Sequence, residues 1–187
     1  MHSAVRHRRA LRRFCRDRNG VSAVEFALIL PVMVTFYLGS VELGNGLAVQ
    51  FKTTLAARTV ADLTSQYNTI DAATMTQILG AAASVVTPYS SNNMIVVVSE
   101  VTTTNSSGSA AVTWSAANGG SARAVGSPIT LPSALQTLPT GTSLIFGEVT
   151  YPYNPQFGYV LTGTINMYES QYFYPRKSNC VNYNNVC

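Results

Sequence analysis

Apolar residues divide this chain into a long N-terminal run, a short amphipathic segment and a strand-rich remainder. From Phe26 to Val41 no residue carries a formal charge, and from Val21 to Val41 only Glu25 does. That is close to the ~20 apolar residues a helix needs to span a bilayer. Beyond it, Leu43, Leu47, Phe51, Leu55, Ala56, Val60 and Leu63 recur at spacings dominated by three and four, with Lys52, Arg58 and Asp62 among them. No proline interrupts the stretch from Val32 to Tyr67. The pattern predicts one continuous helix from about Ser22 to Tyr67, apolar all round in its first half and amphipathic in its second. At ~1.5 Å per residue it is roughly 70 Å long, so half of it stands outside the membrane. Pro31 falls inside the apolar half, where a membrane helix tolerates proline as a kink. Gly39, Gly44 and Gly46 cluster near the membrane exit beside Glu42, as close-packing positions or as a flexible point.

Asn68-Thr69 breaks this helix, and a second one begins with Thr69 or Asp71 as N-cap. Ala72, Met75, Ile78, Leu79, Ala82 and Val86 form its apolar stripe, and Pro88 ends it. The period then changes. Met94 to Val98 with Val101 is a β-branched run, and Ala111 to Trp114 is a shorter strand between the turn-forming segments NSSGS and NGGS. Leu144 to Tyr153 and Leu161 to Phe173 read as longer strands rich in aromatics, and the proline-punctuated SPITLPSALQTLP reads as a surface loop. The fold class predicted is α+β, with a long N-terminal helix carrying a small head built from a second helix and an antiparallel sheet.

Composition supports a chain that is partly in a membrane and partly outside the cytoplasm. Charged residues make up 11% of the 187 positions, against about 25% in an ordinary soluble domain. The net charge of +4 misleads if taken globally. Seven of the twelve Lys and Arg residues lie in the first 20 positions against Asp17 alone, giving that stretch +6 and the remainder −2. A basic stretch immediately before an apolar helix is a cytoplasmic topology signal, and nucleic acid is not expected as a partner. A cleaved secretory signal competes with a membrane anchor here, with Gly39-Ser40 imitating its cleavage site, but the helical pattern runs on past that point. In an exported body, Cys180 and Cys187 pair as a disulfide closing a terminal loop, while Cys15 belongs to the basic head.

The chemistry of catalysis is sparse. The two histidines, His2 and His7, both lie in the basic stretch, so histidine-based nucleophilic systems and metal sites are excluded from the body. No cofactor, metal or small-molecule substrate is expected, and the chain is not expected to be an enzyme. A glycosidase-like carboxylate pair would have to come from Glu100 with Glu148 or Glu169; the plainer reading makes these solvent-facing strand residues. Tyr151, Tyr153, Tyr168, Tyr172 and Tyr174 suggest either a carbohydrate-binding face or half-buried cross-strand packing.

The remaining signal is GVSAVEF, Gly20 to Phe26, which puts an acid at the fifth residue after a glycine, behind a basic leader and before a long apolar helix. This arrangement resembles the processing site of type IV prepilins. More closely, GVSAVEFALILPVMVTFYLGSVELGN, Gly20 to Asn45, is similar to the TadE-like family of minor pilins, or pseudopilins, of the tight-adherence (Tad/Flp) pilus. The resemblance covers roughly residues 16–60. It implies a basic cytoplasmic leader over 1–20 and cleavage by a prepilin peptidase between Gly20 and Val21. The long helix then occupies 21–67, spanning the membrane over about 23–43, and a periplasmic head occupies 68–187. Glu25 becomes the fifth mature residue, with Phe26 in the adjoining aromatic place. In related pilins this acid serves assembly by pairing with a neighbour's N-terminal amine, a pairing that offsets the cost of burying a carboxylate.

The function the resemblance implies is that of a minor pilin-like subunit acting in pilus assembly, priming or anchoring, and so in surface adhesion. Its partners would be the prepilin peptidase, other pilin and minor pilin subunits, the Tad assembly machinery and the bacterial inner membrane. The family's major Flp subunit is little more than the helix, and its larger TadG-like members carry a further adhesion-type domain, so the size here suits a minor component. Two other readings compete: an uncleaved membrane-anchored periplasmic module recognising a glycan or envelope protein, and, with little residue support, a periplasmic hydrolase.

Overall fold

The computed structural model of the protein describes residues 19–105, 108–156 and 163–187. The basic leader up to Arg18, with His2, His7 and Cys15, therefore lies outside the described residues, as do Ser106, Ser107, Leu161 and Thr162 from the expected turn and strand. Helix α1 runs Asn19–Ser65 without interruption through Pro31. It starts three residues before the predicted Ser22 and stops two before Tyr67. A two-residue strand β1 (Thr69–Ile70) follows. Helix α2 (Ala72–Val85) is capped by Asp71, whose Oδ1 accepts the Thr74 N–H at 2.7 Å. That bond satisfies one of the donors a helix start leaves open, and the Thr74 hydroxyl, with this N–H, holds the exposed Asp71 carboxyl below its usual range.

The sheet has the order β4-β3-β2-β5-β6 and is antiparallel throughout, from β2 (Ile95–Thr103), β3 (Ser109–Asn118), β4 (Pro128–Thr130), β5 (Ser143–Tyr153) and β6 (Ile165–Phe173). A final strand β7 (Asn182–Tyr183) pairs in parallel with β1. Three expectations are corrected. Strand β3 is ten residues long rather than four, because the small Ser and Ala residues flanking the apolar core continue the pairing with β2. The segment taken as a surface loop carries β4 and a 3₁₀ turn at Ser133–Leu135. Proline at the first residue of a three-residue edge strand costs no ladder bond, which reconciles its presence with the strand. The small β1–β7 pairing went unexpected, since two residues carry no periodicity.

One face of the sheet is covered by α1 and α2, and the core lies between. The second half of α1 buries Glu42, Gly46, Val49, Thr53, Ala56, Ala57, Val60, Ala61 and Thr64 against the head. This corrects the predicted amphipathic face: Leu43, Leu47, Phe51 and Leu55 stay exposed at 59%, 64%, 69% and 39%. The reason is steric. Gly147 on β5 faces α1, and a Cβ there would come within 2.7 Å of the Ala57 carbonyl oxygen and 2.9 Å of Val60 Cγ1 and Ala61 Cβ. A helix this close to a sheet must present its small residues inward. Gly46 adds to the approach, its Cβ direction lying 3.7 Å from the Tyr153 ring, whereas Gly44 faces open space.

A second apolar cluster lies on the other face of the sheet, where the β4 segment folds Ile129 and Leu131 over Val101, Val112, Leu144 and Phe146. The disulfide Cys180–Cys187 closes the C-terminal loop as expected, with Cα atoms 5.8 Å apart.

The Gly147 contact yields a first test. Gly147→Ala is expected to lower stability by about 1–3 kcal/mol, the usual cost of overpacking a close interface. Urea denaturation of the full chain in detergent, followed through the single tryptophan, Trp114, measures it. An unchanged midpoint would refute the steric account.

Candidate functional site

The site residues read from the sequence all lie in the first two turns of α1. Gly20, Val21, Glu25 and Phe26 are exposed, Val21 at 55% and Phe26 at 61%, and no other part of the described chain approaches them closely enough to cover them. Nothing lies within 4 Å of a Cβ built on Gly20. Glycine is among the weakest helix formers, so the chain opens most cheaply at this point. Exposure persists through Tyr37, and the apolar window of this helix makes no contact that buries it. It is the one helix among the described residues long and apolar enough to cross a membrane, and it fits a single-pass anchor. Within it Pro31 withholds an N–H from the Ala27 carbonyl, while the Thr35 hydroxyl donates to the Pro31 carbonyl at 2.8 Å. Burial begins at Glu42, whose carbonyl accepts from Tyr153 Oη at 3.3 Å.

Below the membrane-length segment the exposed side chains Leu43, Leu47, Phe51 and Leu55 follow one another at intervals of four. They form a continuous apolar ridge on the side of α1 turned away from the head. Two polar contacts fix this orientation: Gln50 Nε2 donates to Glu169 on β6, and Arg176 pairs with Asp62.

The strand carboxylates do not form a catalytic pair. Glu100 faces the helices and Glu148 the opposite side of the sheet, while Glu169 is held by Gln50. They are also not the solvent-facing residues expected, since Glu100 is fully buried and Glu148 only 5% exposed. Glu100 Oε2 accepts from Trp114 Nε1 at 2.6 Å and from the Val181 N–H at 3.3 Å, and the same indole N–H reaches the Val181 carbonyl at 2.7 Å. Glu100 Oε1 has no hydrogen-bond partner among the described residues. Burial pushes the Glu100 carboxyl up, against the opposing influence of the Ser143 hydroxyl and the Trp114 and Val181 donors. Regular alternation along β2 puts Glu100 on the face of Val96 and Val98, and a β-bulge that skips Thr113 of β3 turns Trp114 onto the same face, which the strand pattern did not signal.

The tyrosines are divided in the same way. Tyr151 and Tyr153 are buried toward the helices, Tyr174 is exposed beyond β6, and only Tyr168 and Tyr172 share the outer face. There Arg123 donates to Glu148 through Nε at 2.5 Å and Nη2 at 2.6 Å, and Tyr168 Oη donates to Glu148 Oε1 at 2.6 Å. The guanidinium lies 5.5 Å over the Phe146 ring, which stacks on Tyr172 at 4.4 Å. Burial and the bond to Glu148 push the Tyr168 phenol up to about 12, and the Glu148 carboxylate raises the Arg123 guanidinium. Among the described residues no group of three or more His, Cys, Asp or Glu is placed to hold a metal ion.

Residues 20–62 match the family model of TadE-like proteins. The matched segment begins at the glycine singled out by the sequence and ends within the last turn of α1. No curated protein and no solved structure matches the chain.

The Glu100 node has a pH signature. A carboxyl raised by folding binds its proton more tightly in the native state, so its contribution favours folding at low pH. That contribution is lost as pH rises from the ordinary glutamate value of 4.5 through the raised one. Glu100→Gln, which keeps an acceptor for Trp114 and can donate to Ser143, is expected to reduce this part of the loss. Denaturation midpoints of the two proteins across this pH range check it, and identical pH slopes would refute it.

Proposed function

We propose that this chain is a minor pilin-like structural subunit of a Tad pilus. It is not an enzyme. It inserts with its basic end in the cytoplasm and its head in the periplasm of a bacterial inner membrane, and a prepilin peptidase cuts it between Gly20 and Val21. The observation that carries this reading is the TadE-like match starting at Gly20, on a helix whose entire N-terminal half is apolar and uncovered.

The leader holds the basic end at the cytoplasmic face. Cleavage removes it and creates an α-ammonium on Val21, a partner for the Glu25 carboxylate of an adjacent subunit. A carboxylate at the edge of an apolar helix is costly unpaired, so assembly gains by supplying that partner. The Leu43-Leu47-Phe51-Leu55 ridge extends the same apolar surface beyond the membrane, where a neighbouring helix covers it. Subunits of the pilus and its assembly machinery are the partners this surface fits.

N-terminal sequencing of the protein from piliated cells tests the cut. A chain beginning VSAVEF is expected, and an intact arginine-rich end in the membrane fraction would overturn the reading. Glu25→Ala is expected to be processed normally yet to lose piliation, as scored by surface pili. Phe51→Glu places a charge on the ridge without touching the head. It should leave Trp114 fluorescence unchanged while reducing co-purification with other pilus subunits severalfold; undiminished co-purification would exclude the ridge from assembly.

A further inference from the structure

The outer face of the sheet holds a groove of about 480 Å³, lined by residues that include Arg123, Phe146, Tyr168, Ser170 and Tyr172, with the β4 segment as its wall. A volume of this size falls in the range of small-ligand sites. The wall follows from the fold: Ile129 and Leu131 anchor β4 and the turn after it over the second apolar cluster, leaving the Tyr168 end of the face open.

Three features define what fits. The first is a planar aromatic surface. Phe146 is buried under Arg123 and stacks on the half-buried Tyr172, so the aromatic face offered at the mouth of the groove is that of Tyr168, 51% exposed. The second is a matched set of donors and acceptors. Arg123 has five N–H bonds, of which two donate to Glu148, and the carboxylate has roughly four lone-pair sites, of which Arg123 and Tyr168 take three. The guanidinium's further donors and the Ser170 hydroxyl line the groove, while the buried Glu148 stands outside the lining and holds Arg123 in place. The third is charge balance. Arg123 and Glu148 neutralise each other, so the groove attracts neither anions nor cations strongly, and their mutual bonds hold both in place before any ligand arrives.

An uncharged ligand with a weakly polar flat face and several hydroxyls around its rim meets all three requirements. Its C–H face lies on Tyr168, and its adjacent hydroxyls accept from Arg123 and exchange hydrogen bonds with the Ser170 hydroxyl. An apolar ligand would strip water from the guanidinium without replacing its hydrogen bonds, and an acidic one gains no net attraction from a guanidinium already neutralised by Glu148. We infer that this groove binds a neutral saccharide, with Tyr168 as the stacking residue and Arg123, held and neutralised by Glu148, reading the hydroxyls together with Ser170. The inference gives the head a ligand, and it stands whether or not the chain is cut at Gly20.

The full chain in zwitterionic micelles, free of sugar-based detergent, is titrated at millimolar concentration with neutral trisaccharides of glucose, mannose and N-acetylglucosamine, and with a trisaccharide of galacturonic acid. Saturation-transfer NMR reads binding. At least one neutral trisaccharide should bind saturably. Tyr168→Ala should weaken it roughly tenfold, the scale of one lost aromatic contact, and Arg123→Gln should weaken it as well. Ser170→Leu, which fills the groove from an outward-facing position, should abolish binding while Trp114 fluorescence stays native, which guards against a folding defect in the other two. Absence of binding by every neutral trisaccharide overturns the inference. So does binding that survives Ser170→Leu, or tighter binding of the galacturonic acid trisaccharide.

Discussion

The approach of α1 to β5 at Gly147 governs the arrangement of the molecule. Without a Cβ at that position, the backbone of β5 comes against Ala57, and Ala56, Val60 and Ala61 close over the contact with no exposure. Dispersion falls steeply with separation, so a small-residue seat of this kind gains more contact per residue than one built from large side chains held further apart. It also sets the rotation of α1 about its own axis. An uninterrupted helix then carries that rotation along its length, so the seat in the head fixes which way Leu43, Leu47, Phe51 and Leu55 point. Gln50 with Glu169 and Asp62 with Arg176 bracket the seat from either end. Exposed pairs of this kind add little energy, but they are incompatible with a helix turned by one residue.

The C-terminal segment is held by a different kind of contact. Val181 offers both its backbone groups to the Glu100–Trp114 pair, and Tyr183 packs against the Trp114 ring at 5.3 Å while its strand pairs with β1. A buried carboxylate is expensive, and an apolar side chain of similar shape would often cost less. What the acid supplies is a directional acceptor that only a correctly placed backbone N–H can satisfy. The tail is thereby fixed beside the α1–α2 connection, and the disulfide confines the few residues that follow.

Much of this was legible in the sequence, and the misjudged burials share one cause. The long helix, the second helix with Asp71 as its cap, the main strands and the Cys180–Cys187 pair all follow from local pattern. The facing of residues does not. Leu43, Leu47, Phe51 and Leu55 look like the buried stripe of an amphipathic helix until a glycine more than ninety residues later makes small residues the better inward face. Glu100 looks like a solvated strand acid until the bulge in β3 brings Trp114 onto its face and the distant Val181 is placed. The five tyrosines look like one surface until the alternation of β5 and β6 sorts them. Local periodicity reports which residues share a face, and only the partner's shape decides whether that face is inside. The GVSAVEF stretch is legible for the opposite reason: its chemistry lies in spacing along the chain, which tertiary structure does not alter.

These observations separate two uses of one helix. The face that holds the head consists of small residues and is satisfied within the chain. The face that holds large apolar residues is left unsatisfied and is continuous with the membrane segment. The family match covers residues 20–62, so both faces lie inside it, whereas Gly147, which receives the small face, lies in the part of the chain that matches nothing. A head joined to such a helix must therefore provide a shallow seat for alanines; beyond that, its other surface is unconstrained by the helix. The outer side of the sheet, with its Arg123–Glu148 pair and open groove, is where this chain has that freedom. Folding, assembly and recognition thus draw on three separate surfaces, and a substitution in one need not disturb the other two.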